Sequence, residues 1–316
     1  MKLLVTRRMT QAAEHALSAR FDTTIMDRSS GLTEAEAAEA MAAYDAVMPT
    51  LGDRFGAGAF QDGLRCKLLA NFGAGFNHID VIAAARAGIA VTNTPDAVTE
   101  ATADIALTLI LMTARRAGEG ERLLRRGEWA GWQPTQLLGR HVSGCTVGII
   151  GMGRIGKAIA RRCHFGFGMQ VLFHNRSVVS SLDFPARQVA GLDELLVQSD
   201  FVVVAVPGGS GTRHMIGAHE LDRLGPRSFI INIARGDVVH EAALIEALQR
   251  GRIAGAGLDV YEFEPKVASE LVALENVTLL PHLGTAAEEV RTAMAMRALN
   301  NLVAFADGHP LPDQVN

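Results

Sequence analysis

An α/β fold with parallel sheets is predicted, and three observations carry that prediction. Strand-like and helix-like patterns alternate from end to end. A glycine turn follows directly on a buried strand pattern at residues 145–151. The 316 residues exceed what a single hydrophobic core usually serves, so two domains are expected.

Each element has its own reason. Residues 3–6 form an apolar first strand, and 11–20 read as a helix. Residues 33–43 form an alanine-rich helix, opened by Thr33 with Glu36 three positions on, a capping box. A strand at 46–49 ends at Pro49. Another, at 68–71, runs into the turn Phe72-Gly-Ala-Gly75. The helix at 81–87 stops at Gly88, before a strand at 90–92. Thr94-Pro95-Asp96 breaks the pattern, and residues 98–115 follow as a long apolar helix. Residues 116–138 are polar but hold Trp129 and Trp132. Six strands are expected next, at 145–150, 170–174, 201–206, 228–233, 255–259 and 278–280. Helices at 154–165, 192–198, 218–224 and 240–250 connect them, which predicts a doubly wound sheet. A last helix covers 286–306.

Composition narrows the function. Hydrophobic residues make up 48% and charged residues 20%, as in an ordinary soluble globular protein. A net charge of −4, with arginines in scattered pairs, argues against nucleic acid or an anionic membrane as partner. Cys66, Cys145 and Cys163 are odd in number and lack metal-ligand spacing. Reduced thiols in a cytoplasm are expected, with no metal site, and Cys145 and Cys163 read as small core residues. The apolar N-terminal stretch is too short for a signal peptide, and no run approaches the ~20 residues needed to span a bilayer.

Gly151-Met-Gly-Arg-Ile-Gly156 follows the apolar run 145–150 and opens a helix. Glycines there permit a tight turn and close approach of a pyrophosphate, and the helix N-terminus offers unpaired N–H groups. The alternative is a glycine turn that only packs a helix on a sheet. The next strand ends His174-Asn175-Arg176-Ser177, with no acid until Asp183. A carboxylate at this place would hydrogen-bond the ribose hydroxyl of NAD. Arg176 instead suits a 2′-phosphate, with Asn175 and Ser177 as neutral donors, so NADP(H) is preferred and NAD(H) stays possible. Stacking of Arg176 on adenine is the other option.

Three further motifs sit at predicted strand ends, where open α/β sheets bind ligands. In Ile231-Asn-Ile-Ala-Arg235-Gly236, Arg235 could clamp a carboxylate or merely form a surface ion pair. Asp259 with Glu264-Pro265, and Pro281-His282-Leu-Gly284, complete the set. A glutamate and a histidine on neighbouring strand ends could pair, the carboxylate favouring a protonated imidazole as general acid.

With these motifs, and with Asn71-Phe-Gly-Ala-Gly-Phe-Asn-His-Ile-Asp80 and Thr99-Glu-Ala-Thr-Ala-Asp104, the chain resembles the D-isomer-specific 2-hydroxyacid dehydrogenase family nearly end to end. The resemblance implies a Rossmann-type doubly wound sheet at 99–285, with a dimerisation arm at about 116–140. That sheet is inserted into a flavodoxin-like α/β substrate domain, residues 1–98 plus 286–316. It also implies a homodimer. It makes Arg235 the residue that holds the substrate, His282 the proton donor and Glu264 its partner. Cofactor contacts fall on Gly151, Gly153, Arg154, Ile155, Gly156, Asn175, Arg176, Ser177, Val206, Pro207, Thr212, Ile233, Ala234, Asp259 and Gly284. Substrate contacts fall on Leu51, Ala74, Gly75, Trp132, Arg235 and His282, with Ala74 and Gly75 binding the carboxylate through backbone N–H groups.

Within the family the chain is similar to the glyoxylate/hydroxypyruvate reductases. The Asn-Arg-Ser strand end, the segment Gly127-Glu-Trp129-Ala-Gly-Trp132-Gln-Pro134 and the expected lack of an appended regulatory domain point there. The expected reaction is reduction of glyoxylate or hydroxypyruvate. Residues 48–51 and 76–78 depart from the family pattern, which leaves the exact 2-oxo acid open. NAD-dependent D-3-phosphoglycerate or D-lactate dehydrogenase is the alternative, weakened for phosphoglycerate because loops 48–54 and 72–80 supply only Arg54 as a cation. Formate dehydrogenase would call for glutamine at Glu264. A corepressor-like nucleotide-sensing module is the remaining reading.

Overall fold

Short apolar segments become parallel strands in two separate units of the computed structural model, which describes residues 1–316. One unit is Met1–Val98 with Thr285–Asn316, and the other is Thr99–Gly284.

The first unit contains β1 (Lys2–Val5), α1 (Gln11–Arg20), β2 (Asp22–Ile25), α2 (Glu34–Ala43), β3 (Ala46–Met48), β4 (Leu68–Ala70), α3 (Val81–Arg86) and β5 (Ala90–Thr92). Its strands are all parallel in the order β2-β1-β3-β4-β5, the flavodoxin-like arrangement. Both faces are covered. Leu4, Val47, Leu69 and Val91 enter one apolar cluster, while Leu3, Val5, Ala46, Met48 and Leu68 enter another. The Thr33–Glu36 capping box is present: Glu36 N–H donates to Thr33 Oγ1 and Thr33 N–H to Glu36 Oε2. Asp80 caps α3 by accepting from the Ile82 and Ala83 N–H groups. Strand β2 escapes sequence reading because Asp22-Thr-Thr-Ile25 has no apolar run. It becomes an edge strand only through its pairing with β1.

The second unit contains α4 (Thr99–Ala114), α5 (Ala117–Arg125), β6 (Thr146–Ile150), α6 (Arg154–Phe167), β7 (Gln170–His174), β8 (Arg187–Gln188), α7 (Leu192–Gln198), β9 (Phe201–Val204), α8 (Ala218–Leu224), β10 (Phe229–Asn232), α9 (Glu241–Gln249), β11 (Gly255–Leu258), α10 (Ser269–Val272) and β12 (Val277–Leu279). The sheet is parallel, in the order β12-β11-β10-β9-β6-β7-β8. It has seven strands where six were expected: β8 is a two-residue edge strand, too short for any periodicity. Alternate residues again feed two cores, Val202, Val204 and Ile230 on one face and Val147, Ile149, Val203 and Ile231 on the other. Helix α4 joins the second core through Ala106, Leu109 and Ile110. Gly257 allows the approach, since a Cβ there would stand 3.0 Å from the Leu109 Cβ.

The last helix, α11 (Glu288–Ala306), closes the first unit. Its Ala295, Ala298, Leu299 and Leu302 fill the core beneath β1, β3 and β4. Cys66 and Cys163 are buried, which pushes both thiols up to about 12. Cys145 is half-buried, packs against the core of the second unit and donates to the His141 carbonyl. No helix is long and apolar enough to cross a membrane.

Candidate active site

Strand order in the second unit reverses at β6, with β7 on one side and β9 on the other. A crevice is expected outside the carboxyl ends of these strands. The glycine turn follows β6 there. Gly151 adopts φ +97°, a conformation costly for any side chain. A Cβ on Gly156 would lie 2.1 Å from the Gly151 carbonyl oxygen, so only glycine lets α6 start this close. A Cβ on Gly153, the α6 N-cap, would meet nothing within 4 Å. The backbone is thus exposed on one side of the turn and tightly packed on the other. That is the cradle a pyrophosphate requires, and the residues fit a dinucleotide. Arg154 is exposed and Ile155 packs against the core below.

The neighbouring strand end is organised by Asn175. Its Oδ1 accepts from Met152 N–H at 3.2 Å, and its Nδ2 donates to the carbonyl and hydroxyl of Ser177. The Asn175 amide thus braces the turn. Arg176 is exposed and forms no hydrogen bond or ion pair in the chain. A groove of about 400 Å³ runs here, lined by Gly153, Lys157, Asn175, Ser177, Ser180 and Ser181 among others. Beyond β9, Thr212 Oγ1 donates to the Pro207 carbonyl at 2.7 Å, closing the 206–212 loop that follows Val206.

Register assembles the rest. Asn232 lies beside Leu258, and Leu258 beside Leu279, so the carboxyl ends of β10, β11 and β12 are level. The three loops leaving them carry Arg235, Asp259 with Glu264, and His282. Ile233 and Ala234 are buried just before Arg235. Buried Asn232 shapes that turn, donating to the Arg235 carbonyl at 2.9 Å and accepting from Ala234 N–H at 3.1 Å. Gly236 allows it to pack on Tyr261, whose backbone carbon would sit 1.8 Å from an added Cβ. Asp259 accepts from Leu283 N–H at 2.7 Å and from Gly284 N–H at 2.8 Å. The His282 N–H donates to the Asp259 carbonyl at 3.0 Å, and the His282 backbone sits at φ +55°. His282 is thereby held by its neighbours in a left-handed conformation.

His282 Nδ1 lies 3.0 Å from Glu264 Oε2, while Glu264 Oε1 accepts from Tyr261 N–H at 3.0 Å. Burial resists ionisation of Glu264, but His282, the Tyr261 N–H and Arg235 outweigh it and hold its pKa below the ordinary value. Burial lowers the Arg235 pKa against the pull of Glu264 and Asp237. Burial raises that of Asp259 against its two N–H donors and His282. A desolvated cation, a carboxylate–imidazole pair and a buried acid thus stand together in one unit, the arrangement of an acid–base site.

Several contributors carry no sequence signal of their own. Tyr261 donates from its hydroxyl to the Leu280 carbonyl at 2.9 Å, fixing the approach to His282. His214 Nε2 lies 2.7 Å from Glu262 Oε1, and Glu262 and Glu241 exchange backbone–carboxylate hydrogen bonds. This ring ties the loop bearing Glu264 to the start of α9. Trp132 is 81% exposed, and Trp129 makes one hydrogen bond, to Gln136. Helix α5 buries no residue.

In the first unit, the loop after β4 presents Ala74 and Gly75. Asn93 Nδ2 donates to the Ala74 carbonyl and Asn71 Nδ2 to that of Gly75. The N–H groups of Ala74 and Gly75 have no partner in the chain. Leu51 is exposed on the loop after β3, and that loop is anchored by buried Asp53, which accepts from Thr6 Oγ1, Thr50 N–H and Leu32 N–H.

The chain is similar to known proteins over its whole length. Residues 107–284 match the model of the D-isomer specific 2-hydroxyacid dehydrogenase NAD binding domain. A glyoxylate reductase of Thermococcus gammatolerans is 42% identical over 320 residues, covering all of this chain and 96% of that protein. A crystal structure of a Thermus thermophilus protein superimposes with a TM-score of 0.92 at 37% identity, over the whole of both chains. The NADPH-dependent glyoxylate/hydroxypyruvate reductase of Sinorhizobium meliloti, in complex with NADP and malonate, gives 0.88 at 36% identity, covering 99% of this chain and 96% of that one.

Proposed function

This chain belongs to the D-isomer-specific 2-hydroxyacid dehydrogenase family, and from that membership we propose that it reduces a small 2-oxo acid, glyoxylate or hydroxypyruvate, to the 2-hydroxy acid, with NADPH preferred over NADH. The observation that carries the reading is the His282–Glu264 pair beside desolvated Arg235. The names of the Thermococcus and Sinorhizobium proteins support the substrate class, and the NADP complex of the latter supports the cofactor.

When bound, the dihydronicotinamide supplies the hydride. Gly151, Gly153 and Gly156 form its pyrophosphate cradle, with Arg154 and Ile155 in the first turn of α6. Asn175, Arg176 and Ser177 would hold the adenosine ribose, and Val206, Pro207, Thr212, Ile233, Ala234, Asp259 and Gly284 would line the rest of the cofactor site. Arg235 attracts the substrate carboxylate and polarises its carbonyl, an effect strengthened by burial. His282 keeps Nδ1 on Glu264 and holds a proton at Nε2, which it gives to the carbonyl oxygen. Glu264, ionised, stabilises the positive imidazole that this step consumes. The unpartnered N–H groups of Ala74 and Gly75 are of the kind that binds a carboxylate. Exposed Leu124, Trp129 and Trp132 suit an arm that pairs two copies of the chain, and we assign a homodimer on that ground.

The test follows nicotinamide absorbance with NADPH or NADH against glyoxylate, hydroxypyruvate, pyruvate and a bulkier 2-oxo acid. Fast oxidation of NADPH by glyoxylate or hydroxypyruvate is expected. Turnover with NADH only would overturn the cofactor assignment. Binding of NADPH without turnover of any 2-oxo acid would overturn the enzyme assignment.

A further inference from the structure

The groove beside Asn175 contains a cation with no assigned task. Lys157 is the fourth residue of α6, half-buried, and it forms no ion pair in the chain. It lines the groove together with Asn175 and the serines at 177, 180 and 181. No carboxylate is among the lining residues. One ammonium, several hydroxyls and no acid make a site for a small anion.

Position says which anion. The groove shares Met152 and Gly153 with the pyrophosphate turn, and Asn175 and Ser177 with the strand end that reads the ribose. The Asn175–Met152 hydrogen bond ties those two walls together. Lys157 stands one turn inside α6, on the side of residues 177–181. An adenosine running from the turn to the strand end brings its ribose to the mouth of this groove. A 2′-hydroxyl has no use for an ammonium there, whereas a 2′-phosphate carries the charge that matches it. The flexible lysine stem adapts to a point contact, where Arg176 offers a planar fork.

We propose that Lys157 is a specificity-determining residue, a second cation for the 2′-phosphate of NADPH, acting with exposed Arg176 to make the cofactor choice. The inference rests on the NADPH reading above. It assigns the discrimination to two elements, the loop after β7 and helix α6.

Calorimetric titration separates the two. The ligands are adenosine 2′,5′-bisphosphate and adenosine 5′-monophosphate, and the proteins are the wild type, Lys157→Met and Lys157→Arg. The wild type should bind the bisphosphate more tightly. Lys157→Met should weaken the bisphosphate about tenfold or more, the range of a lost charge-assisted hydrogen bond, and leave the monophosphate within about twofold. Lys157→Arg should recover most of the loss. Equal weakening of both ligands, or no change in either, would overturn the role of Lys157 while the wild-type preference stood. If the wild type bound both ligands alike, the NADPH reading itself would fall, and this inference with it.

Discussion

His282 Nδ1 and Glu264 Oε2 stand 3.0 Å apart, although 18 residues separate them in the chain. The distance is set by the pairing of β11 with β12, which levels the loops that follow them. Replacing Glu264 by Gln keeps the shape and removes the charge. The protonated imidazole then loses its stabilising partner, so the alkaline limb of reductive kcat/KM should move to lower pH. The acid side has the opposite sign. Glu264 has a lowered pKa, so its ionic contribution is full above the ordinary value of 4.5 and is lost only as pH falls through the lower folded value. A pH–rate profile of both proteins checks this, and superimposable alkaline limbs would contradict it.

Removal of the imidazole goes further. His282→Ala should cut kcat about 10²–10⁴-fold, the usual worth of a placed general acid. Fluorescence titration should find NADPH affinity nearly unchanged. Retained turnover would take the proton-donor role away from His282.

Arg176 tests the ribose end. Arg176→Ala should raise KM for NADPH about 10- to 100-fold and leave KM for NADH nearly constant, because the guanidinium has no partner in the chain to lose. Parallel rises for both cofactors would show that it stacks on adenine and reads no phosphate.

Gly156 tests the cradle by shape alone. An added methyl would stand 2.1 Å from the Gly151 oxygen, so the start of α6 must shift. Gly156→Ala should cost about 1–3 kcal/mol and lower Tm by several degrees. NADPH binding should weaken with it, since the same shift moves the phosphate turn. Gly153→Ala, with open space at its Cβ, should leave Tm nearly unchanged.

Much of this molecule was legible from residue order. Runs such as Thr146–Ile150 and Phe201–Val204 are buried on both faces and can be little but interior strands. Helices Leu192–Gln198 and Ala218–Leu224 lie where their patterns put them. The glycine turn stood out by type and spacing, whereas Arg235, Glu264 and His282 stood out as candidates at predicted strand ends, with roles implied only by the family resemblance. These are local facts: apolar periodicity and backbone freedom are written in neighbouring residues.

What the tertiary structure decided is what local pattern cannot encode. Edge strands Asp22–Ile25 and Arg187–Gln188 exist because a neighbour pairs with them. Asn175 turned out to be a brace for Met152, Tyr261 a prop under the Leu280 carbonyl, and Lys157 a cation in the groove beside Ser177. Each of these meets a partner 19 to 23 positions away. A hydrogen bond or a shared groove across that separation depends on strand register and helix placement, and both are settled only when the whole sheet packs.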